Sequence, residues 1–166
     1  MLKKVIALST AAMILLTPMS ASAVSWGDVV SGLKTKGSYT DGKLTATRDG
    51  NDYTFTGGEL EGVFISSYYL DANGKIYFNG VQMDKLHIYA EEGKYYVVLD
   101  KDTKTGSVGM STEENGEANL VNEGTIGRGE YINQNSHLTN KGTLKTGEER
   151  YYPTTDYDSD KDEYQV

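Results

Sequence analysis

Leu120-Val121-Asn122-Glu123-Gly124-Thr125-Ile126 recurs further on as Leu138-Thr139-Asn140-Lys141-Gly142-Thr143-Leu144, so the step from Leu120 to Leu138 is one repeat period. Leu, Asn, Gly and Thr are kept in register, and Ile126 is exchanged for Leu144. Inside that period runs a finer one, because Leu120, Ile126, Ile132, Leu138 and Leu144 fall at every sixth position without a gap. Six residues at 3.6 per turn do not close a whole number of helical turns, so the spacing is not a helix face. A straight half-buried strand would place an apolar residue at every second position. The period fits a chain that turns a corner after each short strand. One aliphatic per side then points inward, and Gly or Asn takes the corner, where φ is expected to be positive. Three such sides close a coil of one full period, and coils stack in parallel. The predicted fold is all-β, a short parallel β-solenoid whose repeat core is those five aliphatics.

The Asn-x-Gly-Thr-[Ile/Leu] unit, Asn122 to Ile126 and Asn140 to Leu144, resembles the repeats of bacterial surface adhesins and related parallel β-helix proteins. The resemblance implies a secreted or cell-surface module of the solenoid type. It covers residues 104–147 well, with Lys104-Thr105-Gly106-Ser107-Val108 read as a fainter copy one period before the first. Residues four places after each aliphatic are Gly124, Glu130, Ser136, Gly142 and Glu148. The two glutamates depart from the small residue that a left-handed hexad helix prefers, so the handedness stays open.

Upstream, residues 38–103 read as a less regular β region. Lys43–Thr47 and Tyr53–Thr56 flank Asp49-Gly50-Asn51, a hairpin signal. Val63–Ile65, Lys75–Phe78, Leu86–Tyr89 and Tyr95–Leu99 follow as short strand-like runs, separated by glycine-containing turns. Nineteen glycines, 13 tyrosines and only 2 prolines suit pleated strands and tight turns. Before them, Trp26, Val29, Val30 and Leu33 form one apolar stripe at helical spacing. Ser25 stands at the N-cap and Asp28 in the first turn. Residues 24–37 are therefore expected to form a helix that caps the open end of the β domain, which spans 38–147.

The ends set the compartment. Lys3 and Lys4, the apolar run Val5–Leu16 and Ala21-Ser22-Ala23 make a cleavable secretory signal of residues 1–23. The run is shorter than the roughly 20 apolar residues of a membrane span. The mature chain from Val24 would carry a formal charge of −10, two lysines fewer than the −8 of the whole. Such a chain is repelled by nucleic acid and by anionic lipid, so no nucleic-acid partner and no membrane after cleavage are expected. Zero cysteines rule out a disulfide framework and a lipidated cysteine anchor. Residues 148–166 are acidic and tyrosine-rich, a composition that predicts a disordered tail.

No motif names a reaction. Asp156, Asp158, Asp160 and Asp162 alternate like the start of a calcium loop, but Lys161 stands where that loop needs glycine. His87 and His137 have no partners at metal-ligand spacing. Catalytic residues, metal ligands and cofactors are therefore expected to be none. Tyr68-Tyr69, Tyr95-Tyr96 and Tyr151-Tyr152 are adjacent pairs, and in a strand neighbours face opposite sides. Tyr68, Tyr69, Tyr95 and Tyr96 are the candidate ligand-binding residues, for stacking on an extracellular glycan or anchoring a cell-surface protein. Two functional classes remain. One is a non-enzymatic structural or adhesive module that presents a repetitive β surface. The other is a carbohydrate-binding or carbohydrate-active β-helix domain.

Overall fold

A computed structural model describes residues 23–133 and 135–145, and in the tail only the backbone pairing of Tyr157–Asp158 with Glu163–Tyr164. The signal sequence up to Ser22, the alternating aspartates of the tail as a group, and the Tyr151-Tyr152 pair lie outside the described residues.

Among the described residues the chain is mostly β and winds into a three-sided parallel solenoid of about four turns, with one helix at its start. The first side stacks β4 (Asp52–Thr56), β7 (Lys75–Asn79), the end of β8 (Gln82–Leu99), the end of β9 (Lys104–Asn122) and β12 (Ser136–Asn140). The second side stacks β5 (Glu59–Glu61), the starts of β8 and β9, then β10 (Thr125–Ile126) and β13 (Thr143–Leu144). The third stacks β6 (Val63–Ile65), the middles of β8 and β9, and β11 (Gly129–Ile132). The long strands β8 and β9 each run around two corners, so what the sequence presents as separate short runs is continuous parallel ladder. The region read as irregular is largely solenoid. Coils begin at Tyr53, Ile76, Val97, Leu120 and Leu138, which pair one upon the next.

Registered pairing decides what fills the interior. Tyr53, Ile76, Val97, Leu120 and Leu138 form one inward column, and Phe55, Phe78, Leu99, Asn122 and Asn140 the next. Phe55 and Phe78 stack with centroids 4.9 Å apart, and both are fully buried. The column then changes from apolar side chains to amides. Fully buried Asn122 donates from Nδ2 to Asn140 Oδ1 at 2.7 Å, and its Oδ1 accepts from the Gly124 amide at 3.1 Å. The Asn of the repeated unit is thus a ladder that satisfies the corner it turns. Its Gly has a different role from the one expected. Neither Gly124 nor Gly142 has a positive φ. A Cβ on Gly124 would sit 2.2 Å from the Thr103 carbonyl oxygen, and one on Gly142 would sit 2.2 Å from that of Gly124. These glycines are needed because the preceding coil's backbone lies too close for a side chain.

The faint copy at Lys104–Val108 is displaced from the expected register. Ile126 pairs with Thr105, and Val108 pairs with Gly129. Both separations exceed the step from Leu120 to Leu138, because coils above the last one carry extra corner residues.

The start of the solenoid is closed three ways. β1 (Val24–Ser25) pairs parallel with β5, continuing the second side. The hairpin of β3 (Thr45–Asp49) and β4, with β2 (Ser38–Thr40) beyond it, adds antiparallel strands to the first side. Helix α1 (Trp26–Lys36) buries Trp26, Val29, Val30 and Leu33 in the core. Ser25 occupies the N-cap but makes no side-chain cap bond, and Gly37 ends the helix at φ 70°. On the third side Trp26 donates from Nε1 to the Phe64 carbonyl at 2.8 Å, occupying an acceptor of the edge strand.

Candidate functional site

The last complete coil keeps the six-residue step at all three corners, Leu120 to Ile126 to Ile132 to Leu138. Earlier coils do not, and most of their excess falls at one corner, between the third side and the next first side. There the steps from Ile65 to Ile76, from Ile88 to Val97 and from Met110 to Leu120 are all longer than the step from Ile132 to Leu138. Loops that depart from a rigid repeat are where recognition groups are commonly placed. Here the longer corners, together with Asn135 and His137 of the last one, wall a groove of about 380 Å³, lined by Asn73, Lys94, Glu114, Glu117, Asn135 and His137 and floored by glycine backbone.

The backbone at this corner is itself repetitive. Asn73, Gly93 and Asn135 adopt positive φ of 66°, 72° and 60°, the left-handed conformation that Gly and Asn tolerate best. Gly116 pairs with Gly93, and its missing side chain admits the coil before it, since a Cβ would lie 1.9 Å from the Ala90 carbonyl oxygen. Asn73 is fixed by backbone and side chain together. Its amide donates to the Lys94 carbonyl at 2.7 Å, and its Oδ1 accepts from the Lys94 amide at 3.1 Å. Across the groove the Asn135 carbonyl accepts from the Ala118 amide at 3.1 Å.

One ion pair ties two of the charges in the groove together. Lys94 Nζ meets Glu117 Oε2 at 2.5 Å, and Asn119 donates from Nδ2 to Glu117 Oε1 at 2.8 Å. The Lys94 bond first, then that of Asn119, hold the Glu117 carboxyl below its ordinary range, against a smaller opposing effect of desolvation. The next outward column on the first side runs Lys75, Tyr96, Asn119 and His137, one from each successive coil in register. Adjacent members lie about 4.8 Å apart, the interstrand spacing. Tyr96 is 41% exposed, an aromatic ring on a rigid strand two residues along from Lys94.

The four tyrosines singled out in the sequence do not form one site. Tyr68 is 76% exposed on the turn after β6, with the Lys34 ammonium 5.5 Å from its ring centroid. Tyr69 is half-buried against Phe64 and Trp26. Tyr95 faces inward, is fully buried and donates its hydroxyl to the Leu70 carbonyl at 3.1 Å. It is a packing residue, which corrects its placement among ligand-binding candidates. Burial chiefly, with the charge of Asp71 and then Tyr53, pushes its phenol up to about 12. Only Tyr96 stands beside the groove. Of the five repeat aliphatics, Leu120 and Ile126 are buried, whereas Ile132, Leu138 and Leu144 are half-buried against the same core.

A second outward cluster lies on the third side, where Phe64, His87, Gly109 and Tyr131 are successive members of one column. Gly109 leaves room for the Tyr131 ring, whose nearest atoms would lie 3.1 Å from an added Cβ. Tyr131 and His87 are T-shaped at 5.3 Å, and the phenol oxygen is 2.6 Å from His87 Nε2. Ser111 Oγ lies 3.1 Å from the same nitrogen. Burial, then the Lys85 charge, lowers the His87 pKa, partly opposed by Glu130. The imidazole is enclosed between Phe64 and Tyr131, so this column reads as packing on the outside of the sheet.

Sequence reasoning missed the groove. Asn73, Lys94, Glu117 and Asn135 sit at unequal spacings along the chain, and only coil stacking brings them together. The available signal was the failure of the six-residue step. Among the described residues no group of His, Asp and Glu is arranged to hold a metal ion. No protein-family model, curated protein or solved structure matches the chain.

Proposed function

We propose that this chain is a secreted, non-enzymatic extracellular module of bacterial adhesin-like type, structural or adhesive, working through the repetitive surface of its solenoid. The supporting observation is the division between inside and outside. The inward columns from Trp26 to Ile126 form one buried cluster of side chains, while outward side chains of successive coils fall in register about 4.8 Å apart. A surface of that kind presents many weak contacts at fixed spacing, and their combined avidity greatly exceeds that of each one. The Asn-x-Gly-Thr-[Ile/Leu] unit serves this reading by stacking coils closely, through the Asn122–Asn140 amide ladder and the bare Gly124 and Gly142. The leader of residues 1–23 supplies export, with the mature chain starting at Val24.

The test is adhesion of beads coated with the mature chain to surfaces carrying glycans and extracellular proteins, alongside release of reducing ends from the same glycans. Retention without release supports the adhesive reading. Release of reducing ends would replace it with a carbohydrate-active one.

A further inference from the structure

We infer that the corner groove, with Tyr96 at its side, is a binding site for a neutral saccharide chain lying across successive coils. The inference rests on the adhesive reading above and names the chemistry that the surface recognises.

Three observations carry it. The first is the donor and acceptor set. Asn73, Asn115 and Asn135 line the groove with amides that can both donate and accept, and the amide of Asn119 stands in the column beside it. A polyhydroxylated ligand needs that mixture at every hydroxyl. The second is charge. Glu114 and Glu117 outnumber Lys94 in the groove, and the whole chain carries −8, so an anionic ligand is repelled. A cation finds Glu117 already engaged by Lys94 and Asn119, which leaves the single carboxylate of Glu114, and no cluster of ligands surrounds it among the described residues. What remains favoured is a neutral polar ligand. The third is Tyr96, exposed on the same strand face as Lys94, with Lys75 and Asn119 on either side in its column. An amphipathic ring on a rigid strand offers a flat apolar surface with little conformational entropy to lose. The less polar face of a pyranose stacks on such a ring while its hydroxyls meet the flanking amides.

The corner supplies preorganisation. Left-handed Asn73 and Asn135 and the close stacking of Gly116 hold the walls in place before any ligand arrives, so less ordering is needed on binding. Repetition across coils supplies length, because each coil adds a member to the column of Lys75, Tyr96, Asn119 and His137. Longer saccharides should therefore bind more tightly than monosaccharides.

The experiment uses the full mature chain and an array of neutral, acidic and amino-sugar oligosaccharides, followed by titration with neutral hexasaccharides of glucose, mannose and N-acetylglucosamine. Binding confined to neutral chains, weakened at least tenfold by Tyr96→Ala and by Asn119→Ala but not by Tyr68→Ala, supports the site. Circular dichroism melting of each variant separates loss of binding from loss of fold. Absence of binding to every neutral chain, preference for acidic chains, or affinity that ignores Tyr96→Ala overturns it. Adhesion of coated beads that persists with Tyr96→Ala, or that only a protein-coated surface supports, also sinks the saccharide site while leaving the adhesive reading intact. Cleavage of a bound chain would do the reverse.

Discussion

The last coil and the three before it follow the same three-sided path, yet they divide legibility and stability in opposite ways. From Leu120 to Leu138 the chain takes a six-residue step at each side, and its repeat is plain in the sequence. The earlier coils, from Tyr53 to Ile76, from Ile76 to Val97 and from Val97 to Leu120, are all longer and do not share one length, so the six-residue step is lost. Burial runs the other way. Phe55, Phe78, Ile76, Tyr95, Val97 and Leu99 are fully enclosed; in the last coil Leu120 and Ile126 are still buried, but Ile132 and then Leu138 and Leu144 beyond it are half-buried. The core thins toward the end of the most regular coil. Regular spacing records only the corner geometry, whereas stability depends on how many neighbours a side chain has above, below and across.

The largest effect expected from that contrast is in the aromatic interior. Phe78→Ala removes a ring stacked on Phe55 and closed in on all sides, and should cost about 3–5 kcal/mol. Leu138→Ala, in the legible coil, removes a half-buried side chain and should cost less than half as much, because part of its surface is already in water. Urea unfolding of the two variants checks this. Equal losses would mean that the last coil is buried as deeply as the earlier ones.

How much of this was legible follows from which physical rule each feature obeys. The stripe of helix α1 obeys a local rule, and Trp26, Val29, Val30 and Leu33 are buried as their spacing predicts. The hairpin at Asp49-Gly50-Asn51 is local too, and Thr45–Asp49 pairs antiparallel with Asp52–Thr56. The six-residue step of the final coil was readable because no corner there carries an insertion. The groove was not, because it is assembled from corners of different coils, such as those of Asn73 and Lys94. Nor could the sequence alone say that Gly124 answers to the Thr103 carbonyl of the coil before it rather than to its own φ.

A sharper and smaller test compares two glycines of similar appearance. Gly116 sits against the Ala90 carbonyl, so Gly116→Ala must push two coils apart and should cost about 1–3 kcal/mol, the range for overpacking. Gly129 has nothing within 4 Å of an added Cβ and no positive φ. Gly129→Ala should therefore change stability by less than about 0.5 kcal/mol. Thermal melts of the pair decide the matter. Similar losses at both would show that glycine is required here for backbone freedom and that coil contact is secondary.

The smallest effect at neutral pH, and the one that isolates the earlier coils, belongs to Tyr95. Its phenol is neutral in the folded chain and pushed up to about 12, chiefly by burial, from an ordinary value near 10. A group whose folded pKa is raised contributes stability that is complete below the unfolded pKa and is lost as pH rises through the folded one. Between pH 10 and pH 12 the unfolded chain releases the Tyr95 proton while the folded chain retains it, so folding weakens across that window. Tyr95→Phe deletes the hydroxyl bond to Leu70 and should cost about 1 kcal/mol at pH 7. It also deletes the titration, so its stability should fall less steeply between pH 10 and pH 12 than that of the parent. Parallel urea curves at pH 8, 10 and 11 measure both quantities. The exposed Tyr68→Phe supplies the control, since it leaves the Tyr95 hydroxyl bond and its titration in place. If Tyr95→Phe and the parent lose stability in parallel above pH 10, the phenol is reached by solvent, and the enclosed character of the earlier coils fails at this corner.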